Sequence, residues 1–299
     1  MKIRRTGAYG ILHDRSGRVL LARNSSASAF PGRWTLPGGG VEQGEHPDDA
    51  VVREFAEETG LAVRIEALRT VTADVARLPS GNLEHTDRIV YDVAVTGGDL
   101  RAEVDGTTDV VEWADPATRP LMPFTARLLG RPVEPIAETA AHEGEIDRKP
   151  TRVQRFGAYA LAFDPDERIL LAKISPGFPG AGHWHLPGGG TDHGETPEQG
   201  LARELFEETS QRGRVTGLLG ISNRYDPAAV GPEGVPMDWH VIRVVFSVVV
   251  DHPTDPVVTE VAGGSTAEAG WFTRSEIDGM VLSELVRESL ARIDVRPGS

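Results

Sequence analysis

The 299-residue sequence contains no cysteine, which removes disulfides, thiolate metal sites and cysteine nucleophiles together and closes zinc-finger and thiol chemistry. It has no apolar run of membrane-spanning length and no apolar leader-like segment, since Met1 to Arg5 passes straight into a β-like run. No membrane partner is expected, and the cytoplasm is the expected location. Positive charge is in deficit: 31 Lys and Arg against 45 Asp and Glu give a formal net charge of −14. Such a chain is poorly suited to holding a nucleic acid polymer across a broad face, which relies on many cation–phosphate contacts. A small phosphorylated molecule remains open, because its charge can be met locally by a metal and arginine. With 39% hydrophobic and 25% charged residues the composition is that of an ordinary globular protein, long enough for roughly two domains.

What is present in excess is acid, and it is concentrated in Gly39 to Leu61, GGVEQGEHPDDAVVREFAEETGL. The stretch predicts a helix from Pro47 to Thr59. Pro47 suits the first turn, Asp48 and Asp49 complement the positive helix end, and Gly60 suits the left-handed position past the C-terminus. Glu54, Glu57 and Glu58 stand at i, i+3 and i+4 and so project toward one side. Like charges at that spacing cost roughly 0.2–0.5 kcal/mol per pair, so the cluster makes sense as a hard-cation site shared with phosphate oxygens. Before it, Leu36-Pro37-Gly38-Gly39-Gly40 reads as a strand end followed by glycines that let the backbone approach a ligand.

These residues resemble the Nudix box, G-x5-E-x7-R-E-U-x-E-E-x-G-U with U a bulky apolar residue: Gly39, Glu45, Arg53, Glu54, Phe55, Glu57, Glu58, Gly60 and Leu61 fill every position. At average residue usage a chance match is on the order of 10⁻⁸ per starting residue. The resemblance implies hydrolysis of a nucleoside diphosphate linked to another group, with Mg²⁺ or Mn²⁺ held by Glu54, Glu57, Glu58 and the Gly38 carbonyl. It also implies an Arg53 that pairs with glutamates, Glu45 first among them, to orient them.

The chain repeats. Gly7-Ala8-Tyr9 returns as Gly157-Ala158-Tyr159, and Trp34-Thr35-Leu36-Pro37-Gly38-Gly39-Gly40 as Trp184-His185-Leu186-Pro187-Gly188-Gly189-Gly190. A constant offset without gaps means duplication of a whole domain. The expected layout is a first domain over 1–130, a Pro-containing linker over 131–152 with room for a short helix at 137–146, and a second domain over 153–299. In the first, Thr6–Leu12 and Val19–Arg23 around a turn at Asp14–Gly17 give a hairpin signal. Further strands are expected over Val63–Ala76, Arg88–Thr96 and Val110–Trp113, with a closing helix over Phe124–Leu129. The second has the same order: Val215–Tyr225, Trp239–Val250 and Gly270–Phe272, with a helix over Ser283–Ile293 and a Pro/Gly-rich loop at Asp226–Met237. The fold class is α/β, and the resemblance implies two tandem α/β/α sandwich domains with mixed sheets, paired as an intramolecular pseudo-dimer or as a homodimer.

The second box, Gly189 to Gln211, retains Glu195, Arg203, Glu204, Glu207 and Glu208, with Gly188 ahead of it. These match the first set, so a second metal-competent site is expected, with a non-catalytic binding or scaffold domain, or a ligand-sensing protein, as the alternatives. Departures fall at its end: Ser210 in place of glycine, at a cost on the order of 1 kcal/mol if left-handed, and Gln211 in place of an apolar residue, expected to leave that site unfilled or to turn outward. The first copy is therefore the expected seat of catalysis. Arg23 and Lys173 stand at matching strand ends, where the resemblance to MutT-like enzymes implies a phosphate-contacting cation, with plain solvation as the alternative. Trp34 and Trp184 are candidates to stack a base, as are Trp239, Tyr225 and Phe30, with core packing as the alternative. Asp109, Glu112, Glu260 and Glu268 are candidate general bases by position. His85 and His240 fall near the start of matching strands, where shared structure or substrate contact would place them. In the family resembled, a proline at a set distance after the box marks ADP-ribose pyrophosphatases, so the resemblance gives Pro79 and Pro227, downstream of the boxes, a slight weight toward an ADP-ribose type substrate.

Overall fold

A computed structural model describes residues 1–103, 106–134, 152–230, 236–259 and 264–294. The chain divides into two units: Met1–Gln154 with Tyr225–His240, and Arg155–Arg224 with Val241–Ser299.

In the first unit the alternating and β-branched runs, together with the glycine stretch Gly38–Gly40, become strands and the acidic box becomes a helix. In order these are β1 (Lys2–Ile11), β2 (Val19–Asn24), β3 (Trp34–Thr35), β4 (Gly38–Gly40), α1 (Pro47–Thr59), β5 (Leu61–Arg77), β6 (Leu83–Gly98), β7 (Thr108–Ala114) and α2 (Pro123–Leu128), with a single 3₁₀ turn at Pro116–Thr118. One sheet has the order β4-β1-β6-β5 and the other β3-β2-β7. β1 runs parallel to β6, from Lys2 opposite Leu83 to Ile11 opposite Asp92, while β4 is antiparallel to β1 and β5 to β6. A parallel pair needs a crossover, and the crossover is where α1 lies.

The helix is seated by shape. Ala50, Val51 and Phe55 are fully buried, and a Cβ on Gly10 of β1 would fall 2.9 Å from Phe55 Cζ and closer still to Cε2; the ring thus occupies the space that a side chain at residue 10 would need. His46 caps the helix through Nδ1, which accepts from the Asp48 N–H at 3.1 Å, and Gly60 closes it at φ 71°. On the other face of β1, Tyr9, Ile11, Leu21, Leu36, Val90 and Phe124 form the core with Trp34.

The hairpin expected from β1 and β2 is a correction. The two strands belong to different sheets and meet only at their ends, where His13 bridges to Val19 and Leu20 N–H donates to the Leu12 carbonyl. The reason is that β4 and β6 already take both edges of β1.

In the second half the elements are β8 (Arg152–Phe163), β9 (Ile169–Ile174), β10 (Trp184–His185), β11 (Gly188–Gly190), α3 (Pro197–Thr209), β12 (Arg214–Val230), β13 (Pro236–Val249), β14 (Thr266–Phe272), α4 (Arg274–Ile277) and α5 (Glu284–Asp294). Here one pair, Phe163 with Ile169, joins β8 to β9, so a single sheet of order β10-β9-β8-β13-β12 forms, with β11 on β8 and β14 on β9. Leu161, Leu171, Leu186, Val245, Leu285 and Leu290 make its core. Both units are therefore α/β folds with mixed sheets.

Two expectations are corrected here. Asp226–Met237 is not a loop throughout: β12 runs to Val230 and β13 starts at Pro236. Gln211 neither leaves a void nor turns outward. It is 2% exposed, its Nε2 donates to the Thr209 carbonyl at 3.0 Å and to Thr254 Oγ1 at 2.9 Å, and its Oε1 accepts from the Thr254 N–H at 3.0 Å. Ser210 does adopt the left-handed conformation, φ 60°, and its hydroxyl donates to the Val257 carbonyl. The proposed linker helix at 137–146 lies outside the described residues. Among the described residues no helix is long and apolar enough to cross a membrane.

Candidate active site

The site begins with a backbone that only glycine can make. Gly38 has φ +136°, and a Cβ on it would lie 2.6 Å from the Tyr9 Cα; β4 therefore passes against β1 with no side chain between. Gly39 gives room to a carboxylate, since its Cβ would meet Glu54 Cδ at 2.6 Å.

Around this backbone α1 presents one arginine and several glutamates. Arg53 donates through Nε and Nη2 to the two oxygens of Glu45 at 2.8 and 3.0 Å, through Nη1 to Glu54 and Glu57 at 3.0 Å each, and through Nη2 to the Gly40 carbonyl at 3.0 Å. This fork geometry is what distinguishes arginine from a point cation. Burial alone would raise Glu45, but its hydrogen bonds from Arg53 and from the Glu42 N–H prevail and hold it below the usual carboxylate range. In return the hydrogen bonds and charge of Glu45, with Glu54, raise the Arg53 pKa against burial and hold it firmly charged. Glu54 goes the other way: burial raises it, with Glu57 adding to the effect and Arg53 opposing it.

Glu58 is set apart from the arginine. It is 7% exposed, its Oε2 accepts from the Gly38 N–H at 2.9 Å and its Oε1 from the Thr108 hydroxyl at 2.7 Å. Burial pushes its carboxyl up to about 7 despite those two donors, and the Glu54 and Glu103 carboxylates add to the shift. Among the described residues no three acidic or histidine side chains converge on one point, because Arg53 gathers Glu45, Glu54 and Glu57 while Glu58 faces β4 and β7.

The chemistry of the donor set nevertheless fits a divalent cation. Three carboxylates face one guanidinium and a fourth lies on the same helix, two of the four are raised by burial, and every donor is oxygen, which suits Mg²⁺ or Mn²⁺.

The second copy reproduces this arrangement. Gly188 has φ +137°. Arg203 donates to Glu195 at 2.9 and 3.0 Å, to Glu204 at 2.7 Å, to Glu207 at 3.2 Å and to the Gly190 carbonyl at 2.9 Å. Glu208 is 4% exposed and accepts from the Gly188 N–H at 2.8 Å and the Thr266 hydroxyl at 2.6 Å.

Thr108 and Thr266 were not singled out in the sequence. Each stands five residues before the tryptophan of its strand, Trp113 and Trp271, and that shared spacing is the signal that could have found them.

The remaining candidates are placed as follows. Arg23 is bidentate with Asp109 at 2.8 and 3.1 Å and lies 5.9 Å from the Trp34 ring. Lys173 contacts Glu268 at 3.1 Å and lies 5.4 Å from the Trp184 ring. Asp109 and Glu268 are thus exposed partners of the two cations. Trp34 is 6% exposed and part of the core, whereas Trp184 is half-buried against Phe272. Phe30 packs on the core of the first unit. Glu112 pairs with Arg119, and Glu260 lies outside the described residues. His85 is fully buried beside Asp87 at 3.1 Å, and Arg4 binds the same carboxylate. Pro79 falls between β5 and β6, and Pro227 lies within β12.

Comparison with known proteins gives a consistent result. The family model described as NUDIX domain matches residues 3–129 and again 153–292. An ADP-ribose pyrophosphatase of Methanocaldococcus jannaschii is 39% identical over 92 residues, 31% of this chain; the match spans 52% of that enzyme, about half its length. A putative 8-oxo-dGTP diphosphatase of Bacillus subtilis is 33% identical over 116 residues, 38% of this chain and 69% of that protein. The crystal structure of a MutT NUDIX hydrolase from Burkholderia pseudomallei is 29% identical with a TM-score of 0.37, covering 47% of this chain and 98% of that one.

Proposed function

The chain belongs to the Nudix family, with two NUDIX domains in tandem, and from that premise we propose that it hydrolyses the pyrophosphate bond of nucleoside diphosphate-X compounds with a divalent metal at each box. Water adds to one phosphorus, the bridging P–O bond breaks, and the products are a nucleoside monophosphate and phosphorylated X, or their equivalents. The observation that carries the reading is the doubled set in which one arginine orders three glutamates while a fourth is fixed by a glycine N–H and a threonine hydroxyl.

Glu54, Glu57 and Glu58, with the Gly38 carbonyl, would hold the metal in the first site, and Glu204, Glu207, Glu208 and Gly188 in the second. A bound Mg²⁺ or Mn²⁺ would neutralise phosphate charge and acidify its water. The protein's own part is positional. Arg53 and Arg203 stop the glutamates from repelling one another apart, and the Thr108 and Thr266 hydroxyls fix the orientation of Glu58 and Glu208. Arg23 and Lys173 could turn to a substrate phosphate by exchanging an exposed carboxylate partner for it, an exchange of like for like in charge.

Because both copies keep the same hydrogen bonds, the reading assigns turnover to both, against the alternative of one catalytic and one binding domain. The relatives in M. jannaschii and B. subtilis support a nucleotide-derived substrate and put ADP-ribose and oxidised nucleoside triphosphates first among those to try. The compartment proposed is the cytoplasm.

The test is a substrate panel with Mg²⁺ on the wild type, Glu57→Gln, Glu207→Gln and the double variant. Each single variant should lose part of the turnover and the double variant nearly all. Loss in neither single variant, or activity that survives EDTA, would sink the metal-hydrolase assignment.

A further inference from the structure

The first unit includes a segment remote in sequence, Tyr225–His240, which belongs to the second matched NUDIX stretch. It meets residues 41–46, the loop between β4 and α1. Gln43 Nε2 donates to the Asp238 carbonyl at 3.0 Å and to its carboxylate at 3.1 Å. The Gly44 N–H donates to His240 Nδ1 at 3.2 Å. Gln154 Nε2 donates to the Val41 carbonyl at 3.2 Å and lies 3.1 Å from the same histidine nitrogen. Tyr225 covers Gly44, where a Cβ would fall 2.9 Å from the ring, and Gly44 has φ +85°; a glycine is required there on both counts. His240 is fully buried, so its contacts are not incidental surface encounters.

The loop so held delivers Glu45, the residue after Gly44, whose carboxylate grips Arg53 at 2.8 and 3.0 Å. Arg53 in turn orders Glu54 and Glu57. A short loop with its N–H groups bound only to water would move by ångströms, and a misplacement of about 1 Å in a catalytic constellation can cost on the order of 100-fold in rate. We propose that Tyr225, Asp238 and His240, with His240 as the principal contact, form a positioning element of the first site: they fix the 41–46 loop so that Glu45 holds Arg53 and the box glutamates in place. His240 acts through the Gly44 amide and touches no substrate, so it is a positioning residue and not a catalytic one. The inference rests on the hydrolase reading for its kinetic consequence. The bracing itself does not.

The experiment uses the full chain in a Glu207→Gln background, which isolates the first site. Hydrogen exchange of peptides spanning residues 41–46 is measured alongside hydrolysis of ADP-ribose with Mg²⁺. His240→Ala should speed exchange in that loop by about tenfold or more and lower kcat by about 10–100-fold with little change in KM. His240→Asn, whose side-chain oxygen can accept from the Gly44 N–H, should restore both. Gln43→Ala, which leaves the buried histidine in place, should show a smaller loss in the same direction and guards against a simple folding defect. Unchanged loop exchange in His240→Ala overturns the proposal, and so does accelerated exchange with unchanged kcat. If the Glu207→Gln parent does not turn over ADP-ribose, that failure belongs to the functional reading, and the exchange result alone decides the bracing.

Discussion

Gly10→Ala should destabilise the first unit by crowding Phe55, and Phe55→Leu should reverse most of the damage. The added Cβ would lie 2.9 Å from Phe55 Cζ, closer still to Cε2, and 3.1 Å from Val93 Cγ2, where carbon atoms prefer about 3.5–4.0 Å. The ring must withdraw by about 1 Å, yet Phe55 is fully buried and its helix is capped at both ends. Overpacking of this kind costs about 1–3 kcal/mol, and the double contact puts this case toward the upper end. Phe55→Leu alone should cost about 1–2 kcal/mol through the cavity it leaves. Together the two changes should cost less than about 1 kcal/mol, because the second copy already holds that pair. Ala160 and Leu205 occupy the matching positions, both buried, and the Ala160 N–H donates to the Pro187 carbonyl as Gly10 does to Pro37. Urea unfolding of the four proteins yields the coupling energy. Gly10→Ala within about 0.5 kcal/mol of wild type, or single costs that merely add, would refute the account of how α1 is seated. Activity should follow stability across the series, since this helix carries Glu54, Glu57 and Glu58.

Arg53→Lys keeps the charge but loses the fork that reaches three carboxylates and the Gly40 carbonyl; measured with Glu207→Gln to isolate the first site, kcat should fall about 10–100-fold, and an unchanged kcat would show that Arg53 does not organise the glutamates. His185 predicts a pH effect on stability. Its Nδ1 lies 2.6 Å from the Ser283 hydroxyl, and burial, assisted by the Arg243 charge, lowers its pKa from 6.5 to about 4. The unfolded chain therefore takes up this proton first, so the contribution is complete above pH 6.5 and is lost as pH falls toward 4, by about 3 kcal/mol at most. Glu58, raised to about 7, works in the opposite sense, gaining a proton in the folded state between pH 7 and 4.5. The difference between wild type and His185→Thr in urea unfolding from pH 4 to 7.5 isolates the histidine, and identical pH profiles for the two proteins would exclude the effect.

The helix and its acidic face were legible because their signals are local. Pro47, the acids at 48 and 49, the 3.6-residue spacing of Glu54, Glu57 and Glu58, and Gly60 all sit within one stretch, and α1 has the bounds they imply. What was not legible depends on partners far along the chain. β1 and β2 read as a hairpin because they are adjacent in sequence, but β6, some eighty residues on, takes one edge of β1 and β4 takes the edge that β2 would have needed. Gln211 read as a misfit because Thr254, which satisfies it, lies beyond the whole β12–β13 hairpin. The same limit concealed Tyr225–His240: a stretch interrupted by proline and glycine looks like a loop until the 41–46 segment is seen against it.

Comparing the copies separates what the chemistry requires from what packing alone can change. The arginine–glutamate set is duplicated bond for bond, but the buried arginine of the neighbouring strand is not. Arg88 donates to Asp74 at 2.8 Å and to the Tyr9 hydroxyl at 2.7 Å, with the Phe124 ring 3.9 Å from its guanidinium. In the second copy Arg224 stands where Asp74 does, thirteen residues past the end of the box in each case. Arg243, the counterpart of Arg88, then keeps one bond, 2.9 Å to the Ser222 hydroxyl, and its Nε is the sole buried side-chain polar atom among the described residues without a partner. Burial lowers the Arg243 pKa and the Arg224 charge adds to that, against the pull of Tyr159, Glu288 and Glu284. A buried cation with no carboxylate hydrogen-bonded to it is among the more costly features a core can carry, whereas the matched pair Gly10–Phe55 for Ala160–Leu205 should be close to neutral. The second unit has therefore kept its glutamate cradle while losing the carboxylate that pairs with the buried arginine of the neighbouring strand.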